Sequence, residues 1–411
     1  MSNLSIDSDR LIARLKELGD IGRTGDGKLV RLAASDADRL GRDKFVIWAN
    51  AAGLDVRIDR IGNIFALWAD TANAHDGPIM LGSHIDTVID AGIYDGSYGV
   101  LAGLEVIETL KQAGFSPRQP LVVAAFTNEE GVRFAPDMMG SLVYAGGLAA
   151  DTALGVIGTD GSRLGAELER IGYAGSEEPG FLKPAAYLEL HIEQGPVLER
   201  EGLSLGAVEN LQGISWLRIT VEGIANHAGT TPMAMRHDAG YAAAAIIEFL
   251  HDRASLSRSG TVATVGCISF EPNAINVIPA RAVFTVDLRD PDELRLLAEE
   301  QVLADELERL AAKEGVAFAA ERLARFEPVT FDSKLVEHIE AAAAARGLTS
   351  RRMTSGAGHD AQMISRIAPA AMIFVPSMGG VSHSPKEFTL AADLIAGANV
   401  LLDVVRRLAS L

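Results

Sequence analysis

The order of apolar and polar residues predicts that helices and strands alternate in the first half of the chain. Apolar residues recur three and four positions apart, as on one face of a helix, in the segments 5–22, 35–53 and 100–114. Short apolar runs that end in polar residues, the pattern of buried strands, occupy the segments 78–86, 121–131 and 185–195. This alternation predicts an α/β domain with a mixed, largely parallel sheet.

The pattern changes after about Gly213. Strands are predicted in the segments 215–223, 261–271 and 282–290, and helices in the segments 237–255 and 290–315. Beyond about Pro328 the helix and buried-strand signals of the first half return. We therefore expect a discontinuous catalytic domain formed by residues 1–212 and 329–411. An α+β domain with an antiparallel sheet would be inserted between its parts, over residues 213–328.

Composition and charge narrow the classes of function. The chain has 411 residues, 48% of them hydrophobic, which suits a globular protein with two cores. Its formal net charge of −18 disfavours nucleic acid and anionic membranes as partners. Cys267 is the only cysteine, so an intramolecular disulfide and a thiolate metal cluster are both excluded. The sequence starts without a signal-peptide pattern, and we expect a cytoplasmic location.

Candidate ligand chemistry follows several of the predicted strands. Three strands end in GSHID, FTNEEG and ELHIEQG, and a fourth is followed by GGVSHSP. Ligands at the carboxyl ends of parallel strands converge at one edge of an open α/β sheet. Imidazole and carboxylate groups suit Zn²⁺, Mn²⁺, Co²⁺ or Ni²⁺, and the donor types leave the choice open. The candidate donors are His84, Asp95, Glu129, Glu130, His191 and His383.

The number of donors favours two metal ions over one. Two ions about 3.5–4 Å apart that share a carboxylate would use the whole set, and could polarise a carbonyl and activate water. Adjacent side chains point in different directions, so one of Glu129 and Glu130 could bind metal while the other acts as general base. Asp86 lies two residues after His84 and could accept the second N–H of its ring.

Taken together, these motifs resemble the M20 metallopeptidase family. Within it they are most similar to the group of N-carbamoyl-L-amino-acid hydrolases, β-ureidopropionases and allantoate amidohydrolases. The resemblance covers nearly the whole chain and implies a zinc-peptidase-like catalytic domain with an inserted lid and dimerisation domain. The motifs that carry it are GSHIDTV, YDGSYGVLAGLEVI, FTNEEGVRF, ELHIEQGPVLE, NHAGTTPM, INVIPAR, DLRD, SGAGHDA and GVSHSP.

The resemblance also implies a role for each metal-site residue. His84, Asp95 and His191 would hold the first metal ion. Asp95 would bridge to the second ion, which Glu130 and His383 would also bind. Glu129 would be the general base, and Asp86 would orient His84. His359, in SGAGHDA, is expected to support the site or the fold rather than to bind metal.

Substrate contacts are implied on both domains. His227, in NHAGTTPM, would stabilise the oxyanion, and a homodimer formed through the inserted domain could present it to the partner's site. Gln194 and Asn276 would contact the polar part of the substrate. Arg289, in DLRD, would bind a substrate carboxylate, because a guanidinium fork matches that planar group.

The predicted function is hydrolysis of the ureido C–N bond of an N-carbamoyl-L-amino acid to the amino acid, ammonia and carbon dioxide. The small-molecule substrate would carry a carboxylate, and two divalent ions would be the cofactors. Allantoate amidohydrolase and β-ureidopropionase are the alternatives, while Trp216 favours an apolar amino-acid side chain. His191 disfavours a peptidase, because M20 peptidases usually have an acidic ligand at that place. A non-catalytic M20-like binding protein would lack some donors, yet every expected position is filled.

Overall fold

The computed structural model describes residues 4–68, 77–258 and 260–410. Contacts between Cα atoms divide the chain into two compact units. One unit is Asn210–Thr330, which we call the inserted unit. The chain on either side of it forms the other, which we call the flanking unit.

Helices and strands alternate through most of the described chain. The α-helices are α1 (Ser8–Asp20), α2 (Asp36–Ala51), α3 (Ser97–Gln112), α4 (Met139–Tyr144), α5 (Ala150–Leu154), α6 (Leu164–Ile171), α7 (Val197–Glu201), α8 (Ala239–Leu256), α9 (Glu293–Glu314), α10 (Ser333–Ala345), α11 (Asp360–Ile364) and α12 (Ala391–Leu408). The strands are β1 (Asp55–Ile58), β2 (Ile64–Trp68), β3 (Ile79–His84), β4 (Leu121–Phe126), β5 (Ala186–Ile192), β6 (Leu205–Leu211), β7 (Gly213–Glu222), β8 (Asn226–His227), β9 (Val262–Thr264), β10 (Ile268–Glu271), β11 (Val277–Ile278), β12 (Arg281–Asp290), β13 (Ala317–Phe326), β14 (Val329–Thr330), β15 (Ser350–Ser355) and β16 (Ala370–Val375).

The flanking unit is built on the mixed, largely parallel sheet that the sequence predicts. Its strand order is β1-β2-β4-β3-β5-β16-β6, and β15 also pairs with β6. The central strands β4, β3, β5 and β16 are parallel to their neighbours in that order, whereas β2 and β6 join them antiparallel. Every residue of these four central strands is buried. Most of their residues are apolar, because helices cover both faces of such a sheet.

Helix α3 connects this sheet to the segment that carries the candidate ligand Asp95. The helix packs against β3 and β5, and α1 and α12 pack against α3 in turn. Almost all of its residues are buried, including Glu105, whose carboxylate pairs with Arg10 at 2.7 Å. Its first turn follows Asp95 directly. The packing of α3 therefore fixes the position of the segment that carries this candidate ligand.

The inserted unit has a separate antiparallel sheet, as the sequence also predicts. Its strand order is β10-β12-β7-β13, with β9 pairing on β12. Helices α8 and α9 pack against β12 and β7, and their apolar residues form the core of the unit with every second residue of these strands. Throughout the described ranges, no helix combines the length and the apolarity that crossing a bilayer requires.

Candidate metal centre

The candidate donors come from loops and strand ends at one edge of the sheet in the flanking unit. His84 is the last residue of β3, and His191 is the sixth residue of β5. Glu129 and Glu130 follow β4, Asp95 precedes α3, and His383 lies between β16 and α12. Since β3, β4, β5 and β16 run parallel, their carboxyl ends meet at this edge.

Asp95 lies at the middle of the donors. Its Oδ1 atom is 3.2 Å from His191 Nε2 and 3.6 Å from His84 Nε2. Its Oδ2 atom is 3.3 Å from His383 Nε2, which is in turn 3.5 Å from Glu130 Oε2. The donors therefore form two groups, His84–Asp95–His191 and Asp95–Glu130–His383, and each could hold a metal ion. Asp95 belongs to both groups and presents a different oxygen to each.

The composition and burial of these groups fit divalent cations. Within the described chain, Glu130 Oε1 is one of the buried polar atoms that have no hydrogen-bond partner. Asp95 is 6% exposed and Glu129 is 8% exposed. Burying several carboxylates together is costly unless cations accompany them. The nitrogen and oxygen donors suit Zn²⁺, Mn²⁺, Co²⁺ or Ni²⁺, while the single cysteine, Cys267, lies exposed in the inserted unit.

The titration behaviour of the carboxylates leads to the same conclusion. Burial raises the pKa of Glu129 well above its ordinary value, against the opposing charge of His84. Burial and the charge of Asp95 raise the pKa of Glu130 to about 8. Burial acts on Asp95 in the same direction, but hydrogen bonds from His191, His383 and His84 outweigh it and hold the pKa well below the usual range. Bound cations would favour the ionised form of all three carboxylates.

A third group, Glu189–His191–His359, also has its donor atoms close together. Both carboxylate oxygens of Glu189, however, already accept hydrogen bonds, from Ser83 Oγ at 2.7 Å and from Tyr187 OH at 3.1 Å. Burial and the neighbouring His191 lower the pKa of His359 well below its ordinary value, so its ring is neutral. The ring packs edge-on against that of His191, with centroids 4.6 Å apart. This arrangement suits a supporting role better than a third ion.

Backbone carbonyls orient the two buried histidines. His84 Nδ1 is 2.9 Å from the carbonyl oxygen of Asp86, and His191 Nδ1 is 2.9 Å from that of Ile192. When the rings are neutral, as metal binding requires, Nδ1 therefore carries the proton and Nε2 is the nitrogen that would bind the ion. The Nε2 atom of His191 also lies 3.2 Å from the backbone N–H of Gly96. Gly96 makes room for this arrangement: its φ is +61°, and a Cβ atom there would overlap the His84 ring.

Asp86 differs in detail from the sequence-based expectation. Its carboxylate lies 3.8 Å from His84 Nδ1, and its backbone carbonyl is closer to that nitrogen. The carboxylate instead accepts the backbone N–H groups of Glu129 at 3.2 Å and Glu130 at 3.3 Å. Asp86 thus orients His84 through its main chain and orders the loop that carries both glutamates through its side chain.

Glu129 lies beside the donors without belonging to either of the two groups. Its Oε2 atom is 3.5 Å from His84 Nε2, beside the first group of donors. Asn128 precedes it in the left-handed conformation (φ 58°) and donates from Nδ2 to the carbonyl of Phe134 at 2.7 Å. On the other side of the cluster, Gln194 Nε2 donates to Asp95 Oδ2 at 2.8 Å.

Two residues that the sequence reading did not single out also touch this cluster. Ser382 Oγ lies 3.2 Å from Asp95 Oδ2 and 3.0 Å from Glu387 Oε2. Glu387 is buried and accepts the backbone N–H of Asp95 at 3.3 Å. The only sequence signal for them is their position in the loop around His383, one residue before it and four residues after it.

The remaining candidates lie in the inserted unit. His227 and Asn276 are brought together there, because β8 pairs with β11 and Val277 lies opposite His227. His227 is exposed, and its Nδ1 atom accepts the backbone N–H groups of Gly229 at 3.0 Å and Thr230 at 3.1 Å. A neutral His227 therefore carries its proton on Nε2. On β12, Arg289 Nη2 donates to Asp287 Oδ2 at 2.8 Å.

An open α/β sheet that gathers histidines and carboxylates around one shared aspartate is typical of metal-dependent hydrolases. The sequence matches the family described as Peptidase family M20/M25/M40 over residues 80–407. The chain belongs to this family, as its motifs predict, and it is a hydrolase that acts on carbon–nitrogen bonds.

Full-length relatives and solved structures agree with this assignment. The chain is 40% identical to an N-carbamoyl-L-amino-acid amidohydrolase of Rhizobium meliloti, covering 98% of this chain and 97% of the relative. It is 36% identical to an allantoate amidohydrolase of Bacillus subtilis, covering 95% of each. A hydantoinase/carbamoylase-family amidase from Burkholderia multivorans superposes with a TM-score of 0.95 at 41% identity, covering 99% of this chain and 98% of that one.

Proposed function

We propose that the protein is an N-carbamoyl-L-amino-acid amidohydrolase. It would hydrolyse the ureido C–N bond and release the amino acid, ammonia and carbon dioxide. The observation that carries this proposal is the pair of donor groups around Asp95, with Glu129 beside them, in a chain 40% identical over 403 residues to an amidohydrolase of that name. The substrate is a small molecule with a carboxylate.

Each donor group would hold one divalent ion. His84, Asp95 and His191 are assigned to the first ion, and Asp95, Glu130 and His383 to the second. When bound, such ions supply positive charge that polarises the substrate carbonyl and lowers the pKa of water. Zn²⁺ is our first choice, with Mn²⁺, Co²⁺ and Ni²⁺ as alternatives.

Glu129 moves the proton in this proposal. Its carboxylate takes a proton from the attacking water and delivers it to the leaving nitrogen, which needs a group close to both positions. Two features support the assignment. Glu129 lies 3.5 Å from His84 yet belongs to neither donor group, and its backbone N–H is fixed by the Asp86 carboxylate.

Groups of the inserted unit would recognise the rest of the substrate. His227, with its proton on Nε2, can donate to the oxyanion that forms on the carbonyl. The guanidinium fork of Arg289 can bind the substrate carboxylate, in exchange for part of its contact with Asp287. Asn276, next to His227 across the β8–β11 pair, would contact polar atoms of the substrate. Gln194 of the flanking unit, which is hydrogen-bonded to Asp95, would do the same.

We propose that the predicted inserted domain, residues 213–328, also serves as lid and as the dimer contact. In support, β13 is the last strand of its sheet, and an end strand can pair with a second copy. Several large apolar side chains of the unit are exposed, among them Met233, Met235 and Ile275. Sedimentation analysis of the purified protein should therefore give the mass of a homodimer. Cell fractionation should find the protein in the cytoplasmic fraction.

Subunit mixing tests whether His227 acts across the dimer. Dimers of the Glu129→Gln variant and dimers of the His227→Ala variant should each be nearly inactive. If His227 serves the partner's site, a mixed dimer combines both lesions in one site and leaves the other intact, so activity returns after exchange. If His227 serves its own subunit, both sites of the mixed dimer stay impaired and no activity returns.

Ammonia release from the metal-loaded enzyme tests the reaction itself. N-carbamoyl-L-amino acids, N-carbamoyl-β-alanine and allantoate should be assayed side by side, with the Glu129→Gln variant as control. Turnover of an N-carbamoyl-L-amino acid that is lost in the variant supports the proposal. Preference for allantoate, which the 36% identity to an allantoate amidohydrolase makes the second candidate, would contradict the substrate but keep the site. No turnover of any of the three would contradict the ureido chemistry.

A further inference from the structure

Glu387 is a buried carboxylate for which the proposed reaction has no use. It is 6% exposed and lies in the loop between β16 and α12, four residues after His383. Its Oε1 atom accepts the backbone N–H of Tyr94 at 3.0 Å and that of Asp95 at 3.3 Å. Its own backbone N–H donates to the carbonyl of Ser384 at 3.0 Å, and this hydrogen bond closes a turn over residues 384–387. Glu387 therefore connects two metal-site loops that are about 290 residues apart in sequence.

Ser382 makes a second connection between the same two carboxylates. Its hydroxyl lies 3.0 Å from Glu387 Oε2 and 3.2 Å from Asp95 Oδ2. Glu387 thus contacts the Asp95 side chain indirectly, through the Ser382 hydroxyl. It contacts the Asp95 main chain directly, through Oε1. A carboxylate that must present one oxygen to each of two ions needs both its backbone and its side-chain torsions fixed.

The local backbone supports the same conclusion. A methyl group on Gly92 would overlap the carboxylate of Glu387, so the chain leaves this space to that side chain. His383 has a φ of 52°, in the left-handed region that non-glycine residues rarely adopt. Such a conformation persists when its surroundings hold it, and the bonds of Ser382 and Glu387 lie on either side of it.

We propose that Glu387 is a positioning residue that sets the orientation of Asp95, the shared ligand, through the Asp95 backbone N–H and through Ser382. Because Asp95 belongs to both donor groups, Glu387 controls the affinity for both ions together. A carboxylate that only held the His383 loop would affect the second ion alone. The inference rests on the proposed function only in requiring two ions that share Asp95.

Metal affinity, measured without any substrate, tests this proposal. Mn²⁺ binding to the wild type and to the Glu387→Ala variant would be followed by calorimetry, and by electron paramagnetic resonance, which distinguishes a coupled pair of ions from isolated ones. We expect both dissociation constants of the variant to rise about 10–100-fold, the range typical for loss of groups that support metal ligands. The coupled signal should appear only at correspondingly higher Mn²⁺ concentration.

Two further variants separate positioning from folding. In Glu387→Gln the amide oxygen can still accept the N–H groups of Tyr94 and Asp95, and its NH₂ can donate to Ser382, so affinity should return to within a few-fold of the wild type. Asp290→Ala is the matched control, because Asp290 is also buried and accepts the backbone N–H of Asp292 at 2.8 Å, within the inserted unit. It should lower Tm and leave both dissociation constants unchanged.

Several outcomes would overturn the inference. Wild-type constants in Glu387→Ala would reduce Glu387 to a fold-stabilising residue, and weakening of one ion alone would remove the link to Asp95. If Glu387→Ala does not fold, Ser382→Ala, which removes one hydroxyl, and Gly92→Ala, which displaces the carboxylate, take its place, with losses at both ions expected. A wild type that binds fewer than two ions would overturn the proposed function as well. Two ions in the wild type with unchanged variants would overturn this inference alone.

Discussion

The donor cluster of the flanking unit and the polar residues of the inserted unit are organised in opposite ways. His84, Asp95 and His191 are nearly inaccessible, and the side-chain orientation of each is fixed by a backbone carbonyl or by several hydrogen bonds. By contrast, His227 and Asn276 are exposed on the surface of their unit. The Nδ1 atom of His227 accepts N–H groups of residues close by in the chain, such as Gly229.

The fold of the flanking unit fixes the side-chain orientations of its donor cluster. In the proposed function, the polar side chains of the inserted unit would be ordered by substrate. The first donor group is buried and preorganised, so folding itself offsets the free-energy cost of bringing its polar groups together, whereas His383 of the second group is exposed. Arg289, in contrast, pairs with Asp287, two residues away on the same strand, and in the proposed function a substrate carboxylate would compete for it. We expect changes to the cluster and to His227 to affect the chemical step, and changes to Asn276 and Arg289 to affect recognition.

Metal removal should have the largest effect. Dialysis against a chelator is expected to abolish amide hydrolysis, because positive charge at the donor groups is needed to activate water and to stabilise the oxyanion. Adding back Zn²⁺, Mn²⁺, Co²⁺ or Ni²⁺ singly should restore turnover, with maximal activity at two ions per chain. Metal content by mass spectrometry and ammonia release would be measured on the same samples. Full activity in metal-free protein would contradict the role assigned to the cluster.

Glu129→Gln should come next in size. The amide keeps the shape of the side chain but cannot take a proton from water, so kcat should fall by about 10²–10⁴-fold. Because Glu129 belongs to neither donor group, the variant should still bind two ions. Steady-state kinetics and metal content would check both statements. Glu167→Gln, on α6 where the carboxylate pairs with arginines, is a control that should keep wild-type kcat.

The strongest sequence patterns predict the cluster because they are local. Three apolar runs end in polar residues and a fourth is followed by them. Parallel pairing brings these ends together, and the structure places His84, Glu129, Glu130 and His191 there. The predicted helix at 100–114 also corresponds to α3, although α3 begins at Ser97. Short helices such as α4 and α5, of six and five residues, carry too few turns for a periodic signal.

Contacts between segments that are distant in the chain could not be predicted from the sequence. Glu387 reaches Asp95 only because the loop after β16 folds against the start of α3. The spacing of Asp86 and His84 predicts a contact but not which atom makes it, and in the structure the carbonyl takes the place expected of the carboxylate. The roles of His227, Asn276 and Arg289 rest on family resemblance, because no local pattern separates a substrate-binding arginine from a surface one.

Arg289→Lys sharpens the comparison from the side of the inserted unit. Lysine keeps the positive charge but cannot form the two parallel hydrogen bonds of a guanidinium with a carboxylate. Loss of a charged hydrogen bond is worth about 1.5–3 kcal/mol, so kcat/KM should fall by about 10–100-fold, mainly through KM. Metal affinity should not change.

Arg281→Lys is the matched control for that variant. Arg281 lies on the same strand, β12, and pairs with Glu222 and Glu271. It should leave KM at the wild-type value. A fall in kcat with unchanged KM in Arg289→Lys would instead place Arg289 in the chemical step and contradict the recognition role assigned to it.

Asp292→Ala should have the smallest effect and tests whether the stability of the inserted unit can change without the metal centre. Asp292 is the N-cap of α9, and its Oδ1 atom accepts the backbone N–H of Arg295 at 2.9 Å. Losing such a cap costs about 1 kcal/mol, because the N–H loses its partner. The free energy of unfolding, from denaturant titration followed by circular dichroism, should fall by that amount. Both metal dissociation constants should stay at wild-type values, since all the donors come from the other unit.

Asp292→Asn, which retains an acceptor at the cap, should recover most of the lost stability. A change in metal affinity in Asp292→Ala would show that the two regions are energetically coupled and that the contrast between them is incomplete.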